Sequence, residues 1–231
     1  MQQIIDSFLN NIETLESSFN NNLENLVEGL SGLSDTQLLN AIGQLNLFDE
    51  LIEGGFSDAL NNLEKGYNQM LQDAINLANQ RGVVVSLGAG LQGLETLKDL
   101  QTAELLGRAR NHSETLTRLL FQNLYAGTSQ KEIIEQLRGT KLKDYQLNTL
   151  VDTSIRTFDD SARYKVFEGQ DVKFEYLGPL DGKTRPECRE TLLNQKSNFL
   201  DGFTEKQVLS SKTPFGLRGG FNCRHQWTVK A

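Results

Sequence analysis

No proline occurs in the first 178 residues of this 231-residue chain; Pro179, Pro186 and Pro214 all lie in the last 53. Proline removes a backbone donor and clashes with the preceding helical turn, so nothing upstream of Gly178 forbids long helices. The apolar residues use that freedom. Ile5, Phe8, Ile12, Leu15 and Phe19 step by 3, 4, 3 and 4, and Leu23, Leu26 and Leu30 continue the row. This predicts one long helix with a stripe close to a coiled-coil seam, bracketed at its end by Gly29 and Gly32. Ser34-x-x-Gln37 has the form of a capping box. It predicts a second helix through Leu38, Leu39, Ile42, Leu45 and Ile52, ended by the pair Gly54–Gly55. Phe56, Leu60, Leu63, Tyr67, Met70, Ala74 and Ala78 form another stripe. Thirteen asparagines fall in the first 80 residues, and asparagine is a mediocre helix former. These helices must therefore gain their stability from packing partners.

The text changes at RGVVVSLGAGLQG, residues 81–93. It reads as a glycine-rich hinge or a short strand, and it lacks the G-x-x-x-x-G-K-[ST] phosphate loop. Helix resumes from about Leu94 to Tyr125, stopping at Gly127. Ser129-x-x-Glu132 is a second capping box, opening a short helix to Leu137 with Gly139 as its stop. A longer helix follows over about 143–167, with Leu147, Val151, Ile155, Phe158 and Ala162 inward. Val172, Phe174 and Tyr176 then alternate with Lys173 and Glu175 as a half-buried strand does. Beyond Gly178 the chain is rich in turns. A short helix is expected around Cys188–Asn194, and a last strand at about Cys223–Val229 is the natural partner of 172–177. The predicted class is mainly α with a small α+β C-terminal module. The segments are an acidic helical region (1–80), the hinge or strand (81–93), and a third region (94–231) that is helical over 94–168 and α+β over 169–231.

Charge divides the chain unevenly. Residues 1–106 carry 15 acidic and 3 basic side chains, whereas 107–231 carry 15 and 20. Two regions of opposite sign suggest two jobs or two neighbours, unless the acidic part is just the solvated face of helices. From Lys183 onward the balance is 9 basic to 4 acidic. Such a tail suits contact with phosphate, but without interleaved aromatics it does not suit sequence-specific reading. No uncharged run reaches the roughly 20 apolar residues of a membrane span. The start, MQQIIDSFLNN, has no secretory signal character, so a reducing cytoplasm is the expected site of synthesis.

RGGFNCRHQW, residues 218–227, concentrates the special side chains: one of two cysteines (Cys223), one of two histidines (His225) and the only tryptophan (Trp227). With Cys188 they allow several readings. Cys188, Cys223 and His225 are suitable zinc donors, with Asp181 or water as a fourth, and i and i+2 on a strand share a face. A Cys188–Cys223 disulfide would close about 35 residues. Catalysis by a cysteine with His225 as base needs an orienting third group that the sequence does not supply, and His112 stands alone on a helix. The structural reading has Asp181 and Thr184 satisfying turn amides, Gly219 and Gly220 permitting positive φ, and Trp227 capping a small core. It also pairs Arg224 with an acid, Asp181 or Glu187, and leaves Arg218 exposed. On it the chain is not an enzyme and has no cofactor.

GTSQKEIIEQL (127–137), TSIRTFDDSARYKVFE (153–168), LDGKTRPEC (180–188) and GGFNCRHQW (219–227), in that order, resemble the head-morphogenesis or minor head proteins of tailed phages, the Mu-F-like family. The resemblance covers about residues 105–231. Two departures stand out. Arg185 occupies a place where many members have a second cysteine, and the last motif reads Cys223-Arg224-His225 where many read C-R-C. The resemblance implies a virion component made in the host cytoplasm and placed in the phage head near the portal. It would act in head morphogenesis by contact with the portal protein, capsid or scaffold components, and packaged DNA through the basic C-terminal region, with no membrane. The alternative is a nucleic-acid-processing or zinc-dependent enzyme built on the C-terminal Cys/His module.

Overall fold

The computed structural model describes residues 1–86 and 88–230. Leu87, inside the stretch expected as hinge or strand, and Ala231, at the end of the expected α+β module, lie outside the described residues. The elements in chain order are α1 (Gln2–Leu30), α2 (Asp35–Gln44), α3 (Leu47–Leu51), a π-helical turn (Ile52–Phe56), α4 (Ser57–Gln80) and α5 (Gly88–Tyr125). They continue as α6 (Gln130–Gly139), α7 (Tyr145–Phe167), β1 (Phe174–Leu177), α8 (Pro186–Ser197), α9 (Glu205–Leu209) and β2 (Gln226–Val229). The mainly helical class with a small C-terminal sheet is therefore observed.

The chain forms two compact units, each assembled from separate segments. The first comprises Met1–Ile5, Glu64–Gln101 and Thr149–Ala231; the second comprises Asp6–Leu63 and Thr102–Asn148. Helices α1, α4, α5 and α7 contribute residues to both.

In the second unit the α1 stripe is buried as Phe8, Ile12, Leu15, Phe19, Leu23, Val27 and Leu30. Val27 takes the inward place expected of Leu26, which is only half-buried. The reason is geometric: a straight helix of 3.6 residues per turn drifts from a strict 3-4 row, and successive steps of four restore the face. Ser34 and Gln37 form the expected capping box, and Ser129 and Glu132 form the other. The helix expected to run to Ile52 is interrupted instead. Leu45 is extended, and the Asn46 side chain accepts the Asp49 N–H and starts α3. Nor does Gly54–Gly55 end a helix. Gly55, at φ 127°, allows a π turn through which the chain passes directly into α4.

The acidic face of α1 is partly used within this unit. Glu16 accepts the backbone N–H of Lys143 at 2.8 Å and that of Leu142, Glu13 pairs with Lys143 at 2.5 Å, and Glu24 pairs with Arg138. Exposed pairs of this kind contribute roughly 0–1 kcal/mol each. They set the approach of the 138–143 segment more than its stability. His112 of α5 lies beside Arg108 and Asp144. Burial, then the Arg108 charge, lower its pKa to about 4. A base with a lowered folded pKa stabilises the fold above its unfolded pKa and loses that stability as pH falls. Between about pH 6.5 and pH 4 the protein should therefore lose on the order of 2–3 kcal/mol through this residue. Urea titrations across that window should show a shallower decline for His112→Gln.

In the first unit, Tyr67, Met70, Ala74 and Ala78 of α4 and Val151, Ile155, Phe158 and Ala162 of α7 are buried, as their spacing requires. Beyond α7, β1 and β2 pair antiparallel in the register Phe174↔Val229, Glu175↔Thr228, Tyr176↔Trp227 and Leu177↔Gln226. A two-stranded ribbon is marginal alone. This one lies over a core that includes Val166, Phe167, Leu192, Phe203 and Val208. Residues 83–86 form neither strand nor helix, and α5 starts at Gly88, six residues earlier than its apolar row suggests. Val83 and Val85 pack against the same core, while the Arg81 guanidinium donates to the carbonyls of Lys230 (2.5 Å) and Val229 (3.3 Å). Gly88, Gly90 and Gly93 also have G-x-G-x-x-G spacing. That fingerprint works between a parallel strand and its helix, and 83–86 supplies no such strand.

Candidate functional site

The turn from Gly178 to Arg189 is built by its own side chains. Asp181 Oδ1 accepts the Lys183 N–H at 2.9 Å. Thr184 Oγ1 accepts the Asp181 N–H at 2.9 Å and donates to the Pro179 carbonyl at 2.9 Å. This satisfies the turn amides ahead of α8, which opens with Pro186 at its first turn, where a missing N–H costs nothing. Cys188 follows within that turn and faces inward.

The facing segment is the loop 218–222, which leaves ordinary backbone space at alternate residues. Arg218 (φ 47°), Gly220 (φ 83°) and Asn222 (φ 54°) are all left-handed. Gly220 has the expected role. Gly219 has another: a Cβ there would lie 2.3 Å from Cys188 Sγ and 3.1 Å from Cys223 Sγ. The backbone at 219 comes this close to both sulfurs only because no side chain intervenes. Gly219→Ala should therefore destabilise the protein by about 1–3 kcal/mol through overpacking. Its cost should fall when Cys188 is also alanine, since the two changes share one contact; chemical denaturation of the two singles and the double checks this.

From Cys223 burial alternates residue by residue, and Cys223, His225, Trp227 and Val229 share one buried face although the strand ladder itself starts only at Gln226. This period-2 run brings three soft donors together. Cys223 Sγ lies 3.6 Å from Cys188 Sγ and 3.7 Å from His225 Nδ1, and all three donor atoms fall within 4.8 Å of one another. Tyr176, opposite Trp227 on β1, adds a fourth polar atom. Its hydroxyl lies 3.4 Å from Cys188 Sγ and 3.7 Å from Cys223 Sγ, and its ring stacks on His225 at 5.4 Å. His225 Nε2 is 2.8 Å from the Pro179 carbonyl. A carbonyl only accepts, so the proton sits on Nε2 and the Nδ1 lone pair faces the sulfurs. Burial lowers the His225 pKa and raises those of the Cys188 thiol and the Tyr176 hydroxyl. Each of these three shifts favours the neutral form.

Asp181 is not part of it. Its carboxylate receives Arg224 in a two-pronged pair at 2.8 and 2.6 Å, and Arg224, then the Lys183 N–H, hold its pKa below the usual carboxylate range. The expected role of Arg224 is thus seen. That of Arg218 is reversed. Instead of being exposed, Arg218 is buried, with Nε 3.3 Å from Asp160 Oδ2 of α7 and Nη1 3.3 Å from the His225 carbonyl. Its left-handed backbone follows the Pro214–Arg218 turn and directs the guanidinium inward. Arg185, where many members of the resembled family have cysteine, donates to the carbonyls of Phe221 (2.5 Å) and Gly219, bridging α8 to the loop.

Three sites escaped the sequence reading: Tyr176, Asp160 and Arg185. Only Tyr176 had a signal, its inward place on the alternating strand. A groove of about 660 Å³ in the second unit, lined by Phe48, Arg110, Arg118 and Phe121 among others, contains none of the C-terminal motif residues. Among the described residues, no helix is long and apolar enough to cross a membrane. No family model, curated protein or solved structure matches this chain.

Proposed function

We propose that the chain is a non-enzymatic minor head protein of a tailed phage, acting in head morphogenesis through contacts with the portal, the capsid interior or packaged DNA. The observation that supports this reading is how the motif stretches carrying the resemblance use one another. Arg224 of the last motif pairs with Asp181 of the turn motif. Thr153 of the helical motif accepts the Asn222 N–H at 2.9 Å, and Arg163 lies 3.5 Å from Thr228 just beyond the last motif. The unusual side chains close a fold. A catalytic cysteine needs a lowered thiol pKa and access; Cys188 is buried with its pKa raised. The portal, capsid and DNA contacts come from the resemblance alone.

Co-expression with the portal, scaffold and capsid proteins of a tailed phage that carries it should place the chain in sedimenting procapsids at low copy. A chain that stays at the top of the gradient while procapsids form would refute the reading. So would metal-dependent cleavage of DNA or RNA that is lost in a folded His225→Ala variant, which would favour the nucleic-acid-processing enzyme.

A further inference from the structure

The donor atoms around Cys188 have the spacing of a cage, not merely of a packed core. A tetrahedral zinc ion with Zn–S near 2.3 Å and Zn–N or Zn–O near 2.0–2.1 Å sets ligand separations of roughly 3.8 Å for S···S, 3.6 Å for S···N and 3.5 Å for S···O. The observed separations are 3.6 Å (Cys188–Cys223), 3.7 Å (Cys223–His225 Nδ1), and 3.4 and 3.7 Å (Tyr176 hydroxyl to each sulfur). Four edges of one tetrahedron are thus already near the lengths that an ion at its centre requires. The surroundings fit as well. The second nitrogen of a metal-bound histidine ordinarily donates to a carbonyl or carboxylate, which fixes the ring; His225 Nε2 does so to Pro179. All four residues are at most 2% exposed, as in a closed structural site, and Gly219 gives the sulfurs room that a Cβ would remove.

We propose that Cys188, Cys223 and His225 bind a single zinc-class divalent ion, with the Tyr176 hydroxyl as fourth donor, as a structural clip between α8 and the segment leading into β2. Binding replaces the two thiol protons, which leave to solvent. The two thiolates balance the ion's two charges, with imidazole and phenol neutral, so the buried site stays uncharged overall. The clip does not depend on the chain being a head protein, and the experiment below reads only metal.

The test uses the full chain, expressed with zinc supplementation and purified without a metal-affinity tag. Elemental analysis and native mass spectrometry should give one zinc per chain, and a strong chelator should lower the thermal midpoint by several degrees. Cobalt replacement should give a thiolate charge-transfer band and the intense visible absorption of a tetrahedral site. Because Cys223→Ser is able to fail by misfolding, the wild-type cobalt spectrum carries the decision. Tyr176→Phe should keep one zinc but yield it to a competing chelator with about 10-fold to 100-fold lower affinity. A folded wild-type chain without zinc, its thiols free or joined as a disulfide, overturns the site, as does a weak six-coordinate cobalt spectrum. Unchanged zinc affinity in Tyr176→Phe overturns the fourth donor.

Discussion

Replacing Arg218 with alanine should cost about 3–5 kcal/mol at alkaline pH, where Asp160 ionises and the change leaves one member of a buried ion pair without the other. Arg218 and Asp160 are 1% and 0% exposed, and the two side chains meet at 3.3 Å. Burial raises the Asp160 pKa to about 8 against the pull of Arg218. An acid with a raised folded pKa stabilises the fold below its unfolded pKa and loses that contribution as pH rises through the folded value. Without Arg218 the carboxyl is pushed higher still. The deficit of Arg218→Ala should therefore grow between about pH 6 and pH 9, and urea denaturation at both ends reads it. The double change Asp160→Leu with Arg218→Met should recover most of the loss, because an apolar pair of similar volume needs no compensation. A single variant within 1 kcal/mol of wild type at the alkaline end would show that the pair is not what holds the 218–222 loop against α7.

This pair also marks where the sequence stops being legible. The helices are readable because one-dimensional spacing determines which face is apolar. Ile133 and Leu137 after the Ser129 capping box, and the α7 row from Leu147 to Ala162, need no further information. The β1–β2 pairing is readable for the same reason, since alternation at Val172–Tyr176 requires a partner and Cys223–Val229 is the extended segment left to supply it. Asp160 and Arg218 have no such signature. They lie 58 positions apart, and each alone looks like a surface charge. Only the left-handed turn at Arg218 decides that its guanidinium points inward, and that turn depends on the chain around Pro214.

The candidate site divides along the same line. Cys188, Cys223 and His225 are conspicuous because they are rare, and their convergence follows from a strand returning to an earlier turn. Asp181 looks equally suitable as a donor on paper, yet Arg224 takes both of its carboxylate oxygens, and the two lock together at the surface. Tyr176 carries no rarity signal, being one of five tyrosines. It enters because register places it opposite Trp227 with its hydroxyl beyond the ring, at the sulfurs. The breaks in the α2–α4 region were hidden for a related reason. A glycine pair reads as a stop, but whether the chain ends a helix or passes through a π turn depends on Phe56 and Leu51 both being buried, a tertiary demand.

Trp227→Ala should be as damaging as any single change in the C-terminal module, at about 3–5 kcal/mol for loss of a buried tryptophan. The indole is 1% exposed and packs against Tyr176 at 4.7 Å, Phe203 at 5.2 Å and Phe215 at 5.8 Å between ring centroids. Its Nε1–H donates to the Thr213 carbonyl at 2.6 Å, and Thr213 meets Thr191 of α8 at 2.9 Å. One side chain thus joins β2, the 213–215 segment and the helix bearing Cys188. Whole domains are stable by only about 5–15 kcal/mol, so the change removes a large share of the total. Trp227→Phe keeps the ring but leaves the Thr213 carbonyl unsatisfied, and should cost roughly 1–3 kcal/mol. Trp227 is the only tryptophan, so its own fluorescence cannot report on the alanine variant. Far-ultraviolet circular dichroism gives the midpoints, and amide exchange at Phe174–Leu177 shows whether the β1–β2 ribbon opens first. If Trp227→Ala unfolds with the wild-type midpoint and the ribbon keeps its protection, the core around this residue is not what stabilises the module.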